Sequence, residues 1–228
     1  MHIIAVALHE SNTGNFLIDN FRKGGPIMWP ILICSLIALT VVIERSVWWF
    51  RQKTMRQSSK LEKVFGFIEN GDLKEASETA RTSQDPRLRT IWHGLNHHHA
   101  TMQSALQVAS GLELQRASRF MGVMDTIITL APLLGLLGTV TGIMAAFNAV
   151  GQNGLDPDSV SAGIGEALIA TACGLAIAMV TLIFYNFFTS KVERLKFELE
   201  TASTNLEVMI QNLNRESNTN ESEFQGAR

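Results

Sequence analysis

The charged residues of this chain are crowded into a few segments and are absent from three long apolar blocks. No Asp, Glu, Lys or Arg occurs in residues 24–43, 126–155 or 167–190. A helix needs about 20 apolar residues to cross the hydrocarbon core of a bilayer. Each block is long enough to do so. The sequence therefore predicts an all-α membrane protein with three transmembrane helices and long cytoplasmic helical extensions.

We expect the chain to divide into eight segments that follow this pattern. The N-terminal apolar run is too short for a signal peptide and lacks a basic start, so we expect it to be retained. The segments are a periplasmic N-terminal segment (1–23), the first transmembrane helix (24–45), a cytoplasmic helical domain (46–120), the second transmembrane helix (121–150), a periplasmic loop (151–158), the third transmembrane helix (159–190), a cytoplasmic helical extension (191–214) and a disordered tail (215–228).

Lys and Arg beside the spans set the expected orientation, because the cytoplasmic flanks of membrane helices are enriched in them. Six of these residues lie between positions 45 and 63, and three lie between positions 191 and 196. The loop 151–158 has none, whereas Arg22 and Lys23 are a minority exception on the other side. The pattern predicts a periplasmic N-terminus and a cytoplasmic C-terminus.

Composition excludes several classes of function. With 19 Lys+Arg against 21 Asp+Glu, the net charge of −2 leaves no basic stripe for nucleic acid. Cys34 and Cys173 lie in apolar blocks and do not have the spacing of a disulfide framework or metal site. His93 and His97 have metal-ligand spacing but no third ligand in register, which favours a solvated helix end. We expect no enzyme activity, no metal and no cofactor.

The segments outside the spans also read as helices. No proline occurs between positions 87 and 131, so one helix is expected from about residue 101 to residue 150. Two short helices are expected at 61–68 and 73–80, with a break at Asp85-Pro86. The tail carries apolar residues spaced three and four apart, an a/d seam that needs a partner, expected to be the helix before the second span. The seam consists of Val192, Leu195, Leu199, Ala202, Leu206, Met209 and Leu213.

Glu166 is the only charged residue within the third predicted span. A carboxylate at membrane depth costs roughly 2.5 to 3.5 kcal/mol, so it should face a protein interior or a water-filled path. Desolvation disfavours its charged form, which favours reversible protonation. Proton carriage is therefore the expected function. The alternative is that Glu166 lies near the outer interface, about 10 Å from the start of its helix.

Three threonines are the other polar groups at membrane depth, namely Thr139, Thr141 and Thr171. A hydroxyl can relay a proton, but it more often bonds to the backbone of its own helix. Small residues that recur four apart in the second and third spans allow close helix approach, either within one subunit or between subunits. They are Gly138 and Gly142, then Ala170, Gly174 and Ala178.

The motifs of the spans bring a family into view. Residues 131–144 read APLLGLLGTVTGIM, residues 163–172 read GIGEALIATA, and residues 25–30 read GPIMWP. This pattern, from about residue 24 to residue 186, resembles the MotA/TolQ/ExbB proton channel family and, within it, the ExbB/TolQ biopolymer transport proteins. MotA is a poorer fit, with four spans and no equivalent glutamate. Val180 and Ala162 depart from the pattern, since the family often has prolines at these positions.

The resemblance implies a bacterial inner-membrane proton-channel subunit that uses the proton motive force. It implies that Glu166, Thr139 and Thr171 line the proton pathway. It also implies a homopentamer around ExbD/TolR-like single-span subunits, each with an aspartate, that drives a TonB/TolA-like protein. A structural scaffold without proton conduction and a gliding or flagellar-type stator stay open as alternatives. A self-contained solute transporter would show an inverted repeat, which this chain lacks.

Overall fold

The computed structural model describes residues 24–96, 102–153 and 157–226, and the regular elements in these ranges are α-helices. In chain order they are α1 (Met28–Thr54), α2 (Ser58–Glu69), α3 (Leu73–Arg81), α4 (Pro86–Asn96), α5 (Met102–Ala117), α6 (Met121–Asn153) and α7 (Pro157–Gly226).

Three of these helices, α1, α6 and α7, are long and apolar enough to cross a membrane. The predicted all-α membrane protein with three transmembrane helices is confirmed. Helix α7 has 70 residues, which corresponds to about 105 Å at 1.5 Å per residue. The hydrocarbon core is only about 30 Å thick, so much of α7 is a helical extension beyond the membrane.

The chain forms two compact units, to which α1 and α7 both contribute. The membrane unit comprises Met1–Glu44 and Phe120–Asn186, and the basal unit comprises Arg45–Arg119 and Phe187–Arg228. In the membrane unit, Ala38 of α1 packs with Ala131 of α6 and Ala178 of α7. Small side chains at these positions let the three spans approach closely.

Glycines form the contact between α6 and α7 within the membrane unit. A Cβ atom at Gly138 would lie 2.7 Å from the Cβ of Ala170. A Cβ atom at Gly174 would collide with the carbonyl oxygen of Ala131. The small-residue spacing allowed two interpretations, packing within one subunit or contact between subunits. For Gly138 and Gly174 the structure shows packing within one subunit.

The seam on α7 packs into the basal unit, as predicted, with its four central residues buried and its two ends half-buried. Leu195 and Leu199 pack against Ala117 and Leu114 of α5, the helix before the second span. Farther along, the seam enters a larger core built from α2, α3, α4 and α5, so its partners extend beyond the single helix that was expected. The buried residues of that core are Val64, Ile68, Ala76, Ala80, Leu88, Ile91, Leu95, Leu106, Ala202 and Leu206.

The single helix expected from residue 101 to residue 150 is wrong, because the chain breaks between α5 and α6. Phe120 adopts a left-handed backbone conformation with φ of 65°, which is uncommon outside glycine. Arg45, only 1% exposed, donates hydrogen bonds to the carbonyl oxygens of Arg116 (3.2 Å) and Ala117 (3.3 Å). These carbonyls at the end of α5 lack partners within the helix, so Arg45 stabilises the break.

The tail also differs from the expectation of disorder over residues 215–228, since the backbone of α7 is helical as far as Gly226. The composition of this segment is polar and has no apolar periodicity. Extending an existing helix requires no new nucleus, because each added residue gains one hydrogen bond. The long helix that precedes the tail therefore provides the nucleus from which the helix continues to Gly226.

The predicted short helices are confirmed as α2 and α3, and the predicted break precedes α4 at Asp85. The carboxylate of this buried residue accepts hydrogen bonds from the backbone amides of Arg87 and Gln57, both at 3.0 Å. It also forms an ion pair with the Arg87 side chain at 2.7 Å. Asp85 caps the helix that starts at Pro86, an arrangement favoured at helix N-termini.

Burial alone would raise the pKa of Asp85. Hydrogen bonds from the Arg87 side chain and the Gln57 amide, together with the positive charge of Arg87, outweigh burial and hold this pKa below its usual value. A lowered pKa in the folded state means that the carboxylate stabilises the fold above its unfolded pKa. That stability is lost as the pH falls through the folded pKa.

We expect Asp85→Asn to lower the stability of the basal unit at neutral pH by about 1 to 3 kcal/mol, because buried donors lose a charged acceptor. The thermal midpoint of wild type should fall below about pH 4, the unfolded pKa of Asp. The midpoint of Asp85→Asn should fall less over the same range. Thermal unfolding between acidic and neutral pH measures both effects. Glu78→Gln, at an exposed ion pair with Arg81, is the matched control. Parallel pH profiles for wild type and Asp85→Asn would contradict this role.

Candidate functional site

Glu166 lies on α7 with its carboxylate directly over Gly25, at the turn that precedes α1. Its Oε1 atom occupies the space where a Cβ atom of residue 25 would be. Gly25 has φ of 69°, a conformation that side chains rarely adopt, and its carbonyl accepts a hydrogen bond from the amide of Met28 at 3.1 Å. Position 25 therefore needs glycine for two reasons, its backbone conformation and the room left for the carboxylate.

Within the ranges that the structure describes, Glu166 has no hydrogen-bond donor or cationic partner to fix its charge. Its side chain is half-buried. No Lys or Arg occurs in the apolar blocks of the three spans to neutralise it. The described part of the chain therefore provides no fixed counterion for this carboxylate.

Thr171 connects the two later spans. Its hydroxyl donates a hydrogen bond to the carbonyl oxygen of Gly135 on α6, at 2.8 Å. A Cβ atom at Gly135 would lie 2.9 Å from the Cα of Thr171, so the glycine permits this approach. Threonine hydroxyls in helices more often bond to the backbone of their own helix, whereas this one bonds to a neighbouring helix. Thr171 fixes the register of α6 against α7.

Thr139 and Thr141 bond to the backbone of their own helix. The Thr139 hydroxyl donates to the carbonyl of Leu136 at 2.7 Å, and that of Thr141 donates to the carbonyl of Leu137 at 2.9 Å. Each oxygen keeps acceptor capacity for water or a protonated carboxyl. Both are available as polar groups in the span without being held by another helix.

The three residues expected to form the proton pathway lie in one unit but are not hydrogen-bonded to each other in the described chain. Glu166 faces the turn before α1, and Thr171 faces α6. Thr171 lies five positions after Glu166, which places it about 140° around the helix. A water-filled path or further protein would have to connect Glu166 to Thr139 and Thr171.

Gly25 is the residue of the candidate site that the sequence alone did not point to. In the sequence, Gly25 stands out only as part of the GPIMWP motif. Its signal was a Gly-Pro pair at the start of an apolar block, which reads equally well as an ordinary turn. Only the packing of α1 against α7 shows that the turn meets the carboxylate.

We expect Gly25→Ala to impair the function of Glu166, because the new methyl group displaces the carboxylate. Gly71→Ala is the matched control, since Gly71 has a similar φ of 79° but nothing within 4 Å of the added Cβ atom. Both variants should lose about 1 to 3 kcal/mol of stability from backbone strain. Only Gly25→Ala should also lower proton-dependent activity, measured at equal protein level. Equal activity of the two variants would contradict the contact.

Metal ligands are not grouped in the part of the chain that the structure describes, where no three His, Cys, Asp or Glu side chains converge. His93 contacts the edge of Trp92, with ring centroids 4.8 Å apart. The other histidines of the cluster, His97, His98 and His99, lie outside the described residues.

The fold and this site define a class of protein: a multi-pass, all-α membrane protein with three spans and an acidic side chain on the third span that meets the turn before the first. Residues 79–201 match the MotA/TolQ/ExbB proton channel family. The chain belongs to this family and is ExbB-like, which confirms the resemblance drawn from the motifs.

Similar proteins from several organisms are named for ExbB. The biopolymer transport protein ExbB-like 1 of Synechocystis is 35% identical over 182 residues, covering 76% of this chain and 71% of that protein. The biopolymer transport protein ExbB of Neisseria gonorrhoeae is 27% identical over 214 residues, covering 84% and 96%. An ExbB homolog of Methanothermobacter thermautotrophicus is 28% identical over 210 residues, covering 90% and 75%.

Proposed function

We propose that this protein is the proton-channel subunit of an energy-transducing motor in the bacterial inner membrane. The observation that carries the proposal is Glu166, a half-buried carboxylate on the third span that contacts Gly25 and belongs to none of the ion pairs of the described chain. Membership of a proton channel family and relatives named for biopolymer transport support it. The motor would convert the proton motive force into work through an ExbD/TolR-like partner and a TonB/TolA-like protein.

In this mechanism Glu166 alternates between protonated and ionised states as an aspartate of the partner passes. Each elementary charge that crosses the membrane releases about 2.3 kcal/mol per 100 mV, so substantial mechanical work needs several protons. Thr139 and Thr171 would supply hydroxyls along the path. Gly25 would keep the space that the carboxyl needs. The chain itself is a transport component and needs no cofactor.

We also propose that five copies form a ring around the single-span helices of the partner. Three spans cannot enclose a water-filled path alone, and a carboxylate without a fixed counterion calls for neighbouring protein. Large apolar side chains such as Leu133, Phe147 and Ile183 are exposed on the spans, and lipid or adjacent subunits would cover them. The Lys and Arg pattern supports a periplasmic N-terminus and a cytoplasmic C-terminus.

Proton flux in proteoliposomes tests this function. The protein is purified with the single-span product of its neighbouring gene and reconstituted with a pH-sensitive dye inside the vesicles. An imposed potential should drive proton entry into vesicles that hold both proteins, and native mass measurement should give five copies of this chain. Intact complexes without any flux would support a structural scaffold and contradict the proposal.

A further inference from the structure

A groove in the basal unit has the features of a ligand site that the proton pathway does not use. It has a volume of about 1170 Å³ and is lined by residues from 46–53 of α1, by Arg56 just after this helix, and by residues from 187–198 of α7. Both stretches follow directly after the apolar parts of their helices. They therefore lie at the depth where membrane helices meet the lipid headgroups.

The charges that line this groove are mainly positive. Four cationic side chains face two carboxylates. One carboxylate, Glu198, is held by Arg56 in an ion pair at 2.9 Å. Three cations then remain against Glu193, so the groove attracts an anion. The cations are Lys53, Arg56, Lys191 and Arg194.

Exposed aromatic rings surround these cations. Phe50 and Phe197 are 75% and 70% exposed, an unusual position for phenylalanine in contact with water alone. The Lys191 Nζ atom lies over the Phe187 ring, 5.3 Å from its centroid. Apolar rings beside cationic ends are typical of a surface at the membrane interface, where one part of the ligand is apolar and the other is charged.

Two buried hydrogen-bond donors on the groove residues have no acceptor within the described chain. They are the indole Nε1 of Trp49 and the amide Nε2 of Gln52. Buried donors are normally satisfied by protein, water or ligand. Both atoms are closed to solvent, so a ligand in the open groove could reach them only if the surrounding side chains moved.

We propose that this groove binds the headgroup of an anionic phospholipid from the adjacent leaflet. The phosphate would contact Lys53 and Lys191, and the start of the acyl chains would lie along the exposed rings. An anionic headgroup joined to apolar acyl chains matches both the cations and the exposed phenylalanines of the groove. The site is separate from Glu166, so lipid binding and proton carriage can be measured independently.

Native mass spectrometry of the delipidated complex tests the proposal, using added phosphatidylglycerol, phosphatidylcholine or inorganic phosphate as probes. Wild type should retain phosphatidylglycerol in preference to phosphatidylcholine. The double variant Lys53→Gln/Lys191→Gln should retain it about 10-fold less, because each lysine near an anionic headgroup adds to affinity. The matched control is Arg51→Gln/Lys196→Gln, which removes the same charge from the same two helices outside the groove.

An equal loss of bound phosphatidylglycerol in both double variants would indicate diffuse attraction to the charged surface and would overturn the proposal. Equal retention of phosphatidylcholine, or full competition by millimolar phosphate, would overturn the assignment to an anionic lipid. A change in copy number confined to the Lys53→Gln/Lys191→Gln variant would show that a second copy fills the groove instead. Unchanged thermal midpoints in both double variants exclude misfolding as the cause of any loss.

Discussion

Glu166→Gln is expected to abolish proton-dependent energy transfer while membrane insertion and assembly stay intact. Glutamine keeps the size and hydrogen-bonding shape of the side chain but cannot exchange a proton at physiological pH. The Gly25 contact is steric, so the amide fits the same space. The measurement is growth on a substrate that requires the coupled outer-membrane receptor, with complex mass determined in parallel. Growth should fall to the level of a deletion strain.

Glu200→Gln provides the matched control, because it is the same change on the same helix. Glu200 lies on the exposed part of α7, where it faces Lys196 at 3.9 Å. An exposed pair of this kind contributes little to stability or function. Wild-type growth of the Glu166→Gln strain would remove the proton-carrier role and leave the scaffold as the better account.

Leu206→Asp should unfold or strongly destabilise the basal unit. Leu206 is fully buried in the core that joins α7 to α2, α4 and α5. Truncating a buried Leu costs about 2 to 5 kcal/mol, and an unpaired buried carboxylate adds a desolvation penalty. Leu199→Asp should act in the same direction against α5. Both should lower the thermal midpoint of the purified complex without preventing insertion of the spans.

Val208→Asp is the control for this change, since Val208 lies two residues from Leu206 and is 50% exposed. The same carboxylate placed there remains in water and should have little effect on stability. Glu198 is unsuitable as an exposed control, because it forms an ion pair with Arg56. Similar losses at Leu206 and Val208 would mean that the seam contributes nothing specific.

The sequence was sufficient for the features that depend on local pattern. The spans follow from charge-free blocks, because a bilayer penalises any charge in a helix of about 20 residues. The α7 seam follows from three-and-four spacing, which places Leu199 and Leu206 on one face. The break before α4 follows from the Asp85-Pro86 pair, whereas the role of Asp85 as its cap became visible only in the structure. Each of these signals lies within one segment of the chain.

The features that the sequence did not reveal depend on residues far apart in the chain. The break after α5 is stabilised by Arg45, which lies 71 residues before Arg116. No Gly or Pro marks it. The contact of Gly25 with Glu166 and the bond from Thr171 to Gly135 likewise join different spans. Periodicity gives the face of a helix but not its neighbour, so these contacts required the packed structure.

The protonation of Glu166 in a lipid bilayer tests most directly whether this residue carries protons. Infrared difference spectra of the complex, recorded between alkaline and acidic pH, report the carbonyl stretch of a protonated carboxylic acid. We expect a titrating band in wild type and in Glu200→Gln that is missing in Glu166→Gln. Spectra of wild type and Glu166→Gln that coincide across the pH range would contradict the account, because Glu166 would then exchange no proton.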